Sequence, residues 1–302
     1  MQYTSHLLMI QPVNFGFNAE TAVNNTFQKN IDGDVQQKAL KEFTDFVALL
    51  RENKVDVTVV EDNLDPATPD SIFPNNWISF HDDGRIFLYP MFAVNRRQER
   101  KTAVLDAIRE KFSVTEIIDL TESEKNDLFL EGTGSMVLDR DHKIAYACLS
   151  PRTDEKLLKA FCKNVDYEPV TFRATDDAGV DIYHTNVMMC IAGSYAVVCL
   201  DSIADKTEKD ILYTQLLLTT KDIIDISLQQ LNHFAGNMLQ VENTDGELLL
   251  VMSTQAFESL NDVQIEILQK YNRIIHSSLN TIETAGGGSA RCMMAEIFLN
   301  KK

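Results

Sequence analysis

Four stretches of the chain repeat one pattern of apolar and polar positions. NWISFHDDGRIFLYPM from Asn76, GSMVLDRDHKIAYACLS from Gly134, NVMMCIAGSYAVVCLDS from Asn186 and NMLQVENTDGELLLVMS from Asn237 each open on a small or amide residue. A short apolar strand follows, then a turn, then a second apolar strand, which is a hairpin signature. The starts stand 58, 52 and 51 residues apart, and a further step of 52 lands on Ser289 in GGGSARCM. The strand there, SARCMMAEIFLN, has no second half, whereas SHLLMIQPVNFGFN from Ser5 is an apolar strand in need of a partner. Apolar residues three and four apart predict helices over 35–53, 96–112, 153–165, 205–221 and 254–272. Each is followed by a β-rich run: VDVTVV, SVTEIIDL, YEPVTFRAT, DIIDIS and RIIHSSL.

The predicted unit is ββαβ, and five copies fill the length. The expected fold class is α/β, a propeller of five ββαβ repeats around a pseudo-fivefold axis. Residues 1–302 form a single domain whose ring is closed by pairing of the N- and C-terminal strands. Inner strand starts, and the loops just before them, then converge on the axis. That selects Asn75 and Asn76, Glu131 to Ser135, His184 to Asn186, Gly236 and Asn237, and Gly286 to Cys292 before any chemistry is considered.

Composition narrows the partners. Apolar residues make up 44% and charged residues 24% of 302, enough for a sizeable core. The formal charge of −17 argues against nucleic acid and anionic membranes, which call for basic patches. The start MQYTSHLLMIQPVNFG lacks a basic region and a long apolar stretch, so no signal peptide is expected. Five cysteines without CxxC spacing suit a reducing compartment, and the expected location is cytoplasmic.

Cys292, His184 and Glu131 stand at comparable places on separate repeats. They supply a nucleophile, a base and an orienting carboxylate. Cys148, Cys162, Cys190 and Cys199 lie within apolar strands or a helix and are assigned to the core. The sequence lacks GK[ST] after its glycines, an HExxH pair, a calcium loop and a helix-opening GxGxxG. A covalent mechanism without metal or cofactor is therefore the expected chemistry. Backbone N–H groups of Gly287 and Gly288 are candidate oxyanion donors. Arg97, Arg152, Arg173 and Arg291 are candidates for holding a carboxylate, and Phe15, Phe17 and Phe73 for walling the channel.

FPNNW, LEGTGS, YHTN and GGGSARCM, in that order on a fivefold ββαβ frame, resemble the guanidino-group modifying enzymes of the pentein fold. These include arginine deiminases, dimethylarginine hydrolases and amidinotransferases, and the likeness is greatest to the citrulline-utilisation hydrolase branch. The resemblance spans essentially the whole chain. It implies that Cys292 attacks the central carbon of the substrate, that His184 shuttles protons, and that Glu131 begins the family's EGG-like motif. It also implies a small amino-acid substrate and, at family level, a homodimer. Arginine deiminases carry aspartates where this chain has Asn186 and Asn76, with Asn75 an alternative register for the second. A buried guanidinium without anionic partners costs several kcal/mol by order of magnitude. An amide both donates and accepts, so two asparagines favour a neutral ureido group. L-citrulline is then the expected substrate, cleaved to ornithine, carbon dioxide and ammonia. Arginine or methylarginine deimination, amidino transfer, and an inactive binding propeller are the alternatives.

Overall fold

The computed structural model describes residues 1–219 and 222–302. Its strands form five separate three-stranded sheets. Four have one plan: an antiparallel hairpin whose second strand also pairs in parallel with a third, reached through a helical crossover. In the first of these, Ile78–Phe80 pairs with Arg85–Leu88, which pairs in parallel with Glu116–Asp119. The fifth sheet uses both ends of the chain. His6–Gln11 pairs antiparallel with Ala295–Glu296, in the register Leu7 to Glu296 and Leu8 to Ala295, and parallel with Asp56–Glu61. The architecture is the five-repeat α/β-propeller expected from the pattern.

Helix formation follows the apolar spacing. Val35–Glu52 buries Ala39, Phe43, Phe46, Val47 and Leu50, one stripe at three- and four-residue intervals. These pack with Leu7, Met9 and Val57 of the sheet beneath. Asp34 caps the start by accepting from the Gln37 backbone N–H at 3.1 Å. Glu155–Val165 and Lys206–Thr219 likewise match their expected spans, except that Thr220 and Lys221, the end of the 205–221 helix, lie outside the described residues.

Two expected helices are broken. The 254–272 pattern divides into Thr254–Ser259 and Asp262–Gln269 because Asn261 and Gln264 form a capping box that starts a new helix. The 96–112 pattern keeps only Thr102–Lys111, preceded by a 3-10 turn at Asn95–Glu99. The charged run RRQERK reads as a solvated helical face, but Arg96 and Glu99 are buried and the Lys101 ammonium is held by Asp62, Asn63, Pro66 and Thr68. No helix among the described residues is long and apolar enough to cross a membrane.

Single helical turns immediately precede four of the inner strands: Pro74–Asn76, Gly132–Ser135, Thr185–Met188 and Ala290–Met293. The fourth repeat has a tight turn there, closed by the Asn237 N–H on the Phe234 carbonyl at 2.8 Å. The turn at Gly132–Ser135 packs against those at Pro74–Asn76 and Thr185–Met188, so the inner starts meet.

Candidate active site

Cys292 sits in the Ala290–Met293 turn and is 3% exposed. Two side-chain amides from other repeats donate to its sulfur, Asn237 Nδ2 at 3.3 Å and Asn186 Nδ2 at 3.5 Å. Asn237 also bonds the Asn186 carbonyl at 2.8 Å and accepts from the Arg291 N–H at 3.0 Å. It thus ties the turn that carries Cys292 to its neighbour. Sequence reasoning placed Asn237 at a convergent position but gave it no role.

His184 precedes the Thr185–Met188 turn, and its Nε2 meets Glu131 Oε2 at 2.7 Å. Burial pushes the imidazole down to about 4, with Arg152 and Arg96 adding to the effect and Glu131 opposing it. Burial alone would raise Glu131, but the Arg152 guanidinium 3.6 Å away and the hydrogen bond from His184 hold it down at about 2. The resting pair is therefore a neutral imidazole donating from Nε2 to a carboxylate, which leaves Nδ1 unprotonated. Gly134 keeps space beside that nitrogen, since a Cβ there would lie 2.8 Å from His184 Nδ1.

His184 and Cys292 line one cavity of about 260 Å³ with Asn76, Asp70, Arg96 and Arg152. Asp70 is 2% exposed; its Oδ2 accepts from Asn18 at 2.8 Å and Thr21 at 3.1 Å, while its Oδ1 has no hydrogen-bond partner. Burial raises its pKa. Arg152 is 1% exposed, bonds Thr21 O and Asn24, and lies over the Tyr183 ring at 4.9 Å. A larger open cleft of about 1480 Å³ lies between Ser227–His233 and Thr254–Asn261. Its walls are mostly neutral amides and hydroxyls, and neither Cys292 nor His184 is among them.

Of the four candidate arginines, only Arg152 reaches this cavity. Arg97 bonds the carbonyls of Met91 and Phe92, Arg173 is exposed, and Arg291 braces its own loop through Met294 O and Glu296. Arg96 was missed, hidden in the charged run, and so was Asp70, an acid just before the FPNNW motif. Phe73 lines the cavity and Phe15 packs on Gly286, whereas Phe17 is 38% exposed.

Gly287 and Gly288 line the cavity, but Gly287 is not an oxyanion donor: its N–H closes the Asn280–Gly286 helix on Glu283 O at 3.0 Å. Its carbonyl is taken by Asn25 and Tyr183. Gly288 needs to be bare because Phe73 would stand 3.0 Å from a Cβ there. Asn75 supports Asn76 and is not a wall of the cavity: it accepts from Asn76 Nδ2 at 3.0 Å and donates to Thr133 at 3.3 Å.

Fold and motif order together define a guanidino-group modifying enzyme of the pentein superfamily. The chain belongs to the family whose model, N,N dimethylarginine dimethylhydrolase, eukaryotic, matches residues 11–299. Among solved structures, the N-terminal domain of ArgZ, a cyanobacterial arginine dihydrolase, superposes in its substrate-bound cysteine-to-serine variant. Its TM-score is 0.75 at 19% identity, over 97% of this chain and 99% of that one. Full-length AgrE, in a complex with ornithine and NAD+, gives 0.77 at 19% identity. The chain spans only 40% of AgrE and 39% of full-length ArgZ. A dimethylarginine dimethylaminohydrolase adduct with S-methyl-L-thiocitrulline gives 0.68 at 13% identity, over 98% of this chain and 100% of that one. No curated protein sequence matches.

Proposed function

We propose that this protein hydrolyses the C–N bond of a ureido amino acid, L-citrulline, through a covalent adduct on Cys292. The observation that carries this reading is the ring of neutral amides at the nucleophile: Asn186 and Asn237 on the sulfur, Asn76 in the cavity wall. The buried carboxylate nearest the base, Glu131, is already engaged by His184 and Arg152. A neutral carbonyl-bearing head is accommodated by amide donors, whereas a guanidinium there lacks its counter-charge.

The steps follow from the positions. Cys292 attacks the ureido carbon, and His184 carries a proton to the departing alkyl amine, releasing ornithine. Water deprotonated by His184 then hydrolyses the S-carbamoyl enzyme, and the carbamate decays to carbon dioxide and ammonia. Arg152 receives the α-carboxylate in this reading, and Asp70, with its unpartnered Oδ1, the α-ammonium. No step calls for a metal or cofactor. We further propose one domain over 1–302, a homodimer, and action in the cytoplasm on a small molecule, with no nucleic-acid or membrane partner.

A second reading, hydrolysis of arginine, is favoured by the similarity to ArgZ, described as an arginine dihydrolase, and to AgrE, crystallised with L-arginine. The test is ammonia and ornithine release from citrulline and from arginine, with Cys292→Ala as control. Citrulline turnover with arginine inert supports the first reading. Ornithine and ammonia from arginine at a comparable rate overturns it. If neither substrate reacts and iodoacetamide labels Cys292 no faster than a free thiol, the fold serves as a binding module.

A further inference from the structure

Glu99 does not line the cavity, yet it is 3% exposed and bonded on both oxygens to Arg96, at 2.8 Å from Nε and 3.0 Å from Nη2. Arg96 also donates from Nη2 to the Phe73 and Asp70 carbonyls and from Nη1 to Asn76 Oδ1 at 2.9 Å. A guanidinium only donates, so the Asn76 amide must turn its oxygen to Arg96. Its Nδ2 then gives one hydrogen to Asn75 Oδ1 and keeps the other. The direction is fixed along the row, because Asn75 Nδ2 in turn donates to Thr133 Oγ1. A Cβ on Gly134 would press on both Asn76 Nδ2 and His184 Nδ1, so the spare amide hydrogen and the free imidazole nitrogen are near neighbours.

We propose that Glu99 is a specificity-determining positioning residue: by holding Arg96 it locks the Asn76 amide with its N–H toward the substrate, so that the site reads a carbonyl acceptor and rejects a guanidinium. This rests on the ureido reading. A ureido oxygen accepts that hydrogen and gains charge as the thiolate adds, so the contact strengthens toward the transition state. The guanidinium of arginine has no acceptor to offer and meets the Arg96 cation behind Asn76. Replacing Glu99 by glutamine keeps the volume but presents an NH₂ group to a guanidinium that already only donates. Arg96 then loses one of its two bonds to residue 99, and the amide becomes free to turn over.

The experiment is kcat and KM for citrulline and for arginine in wild type, Glu99→Gln and Glu99→Asp at about pH 8.5, where Glu99 is ionised, with thermal melts to verify folding. Glu99→Gln is expected to lower the citrulline-to-arginine ratio of kcat/KM about tenfold, one hydrogen bond's worth. The loss falls mainly on kcat for citrulline. Glu99→Asp, which keeps the charge with a shorter reach, shifts the ratio in the same direction by less, and it serves if the glutamine variant does not fold. Equal losses on both substrates, or loss confined to KM, overturn the proposal and leave Glu99 a structural residue. A wild type that consumes arginine and leaves citrulline untouched overturns the ureido reading, and the proposal with it. A citrulline preference that survives in both variants overturns the proposal alone.

Discussion

His184 and Glu131, the proposed base and its carboxylate, owe their character to burial more than to each other. His184 and Glu131 are 2% and 0% exposed, and desolvation is the largest influence on both. For the carboxylate, Arg152 and the His184 N–H outweigh it; for the imidazole, nothing does. Glu131→Gln keeps the shape and a hydrogen bond to Nε2 but removes the charge, leaving Arg152 short of an anion and the imidazolium of the reaction without its partner. Turnover is expected to fall about 10²–10⁴-fold, the range of a lost acid–base function, while the fold persists. Rate measurements at saturating substrate, with a melt alongside, check this; a loss under tenfold would assign Glu131 to structure. At this scale the repeat brought Cys292, His184, Glu131, Asn76, Asn186 and Asn237 to notice together, although it gave Asn237 no role. The sequence was opaque for Arg96 and Asp70. A charged side chain in a polar run looks solvated, and only tertiary packing shows that it is turned inward.

The elements divide along similar lines. Hairpins, crossovers and the helices with a clean apolar stripe were legible because period two and period 3.6 differ plainly in the sequence. The one-turn helices that present the site residues were not, since four residues are too few to show a period. The Gly-rich loop is bare because Phe73 and Phe15 pack on Gly286 and Phe73 on Gly288. Its proposed oxyanion role for Gly287 fails because a helix end needs that N–H more. Gly287 is instead a left-handed C-terminal cap, with φ of 64°, and a Cβ there would lie 2.5 Å from Asn25 Nδ2. Gly287→Ala should therefore cost roughly 1–2 kcal/mol from the dihedral alone. Because the same loop carries Cys292, it should also slow turnover by about tenfold or more. Denaturant titration and steady-state rates test the two parts. Unchanged stability would mean that the loop relaxes freely and is no rigid platform.

For the molecule as a whole, pH dependence sets buried histidines against buried carboxylates. The His184 value lies below its ordinary range, at about 4. The unfolded chain then binds more protons between about 6.5 and 4, and stability is lost as pH falls through that window. Burial lifts Glu99 to about 7 despite Arg96, so its folded form binds more protons between about 4.5 and 7, and stability is gained as pH falls. Each shift corresponds to roughly 3 kcal/mol at 1.36 kcal/mol per unit. Asp70, also raised by burial, acts with the sign of Glu99. Exposed charges add only a salt-sensitive background from the net charge of −17. His81, buried and pushed down to about 3, acts with the sign of His184, so wild-type stability should fall between pH 6.5 and 4.5, with the raised carboxylates offsetting part of the loss. Glu99→Gln removes one opponent, and its urea midpoint should fall steadily on acidification across that window, with little effect of added salt. His184→Asn removes one of the two buried histidines, and its midpoint should fall less than that of the wild type over the same range. If His184→Asn instead falls as steeply as the wild type, His184 is protonated in the folded protein at neutral pH. The resting base would then be an imidazolium already paired with Glu131, and the first proton would have to move by another route.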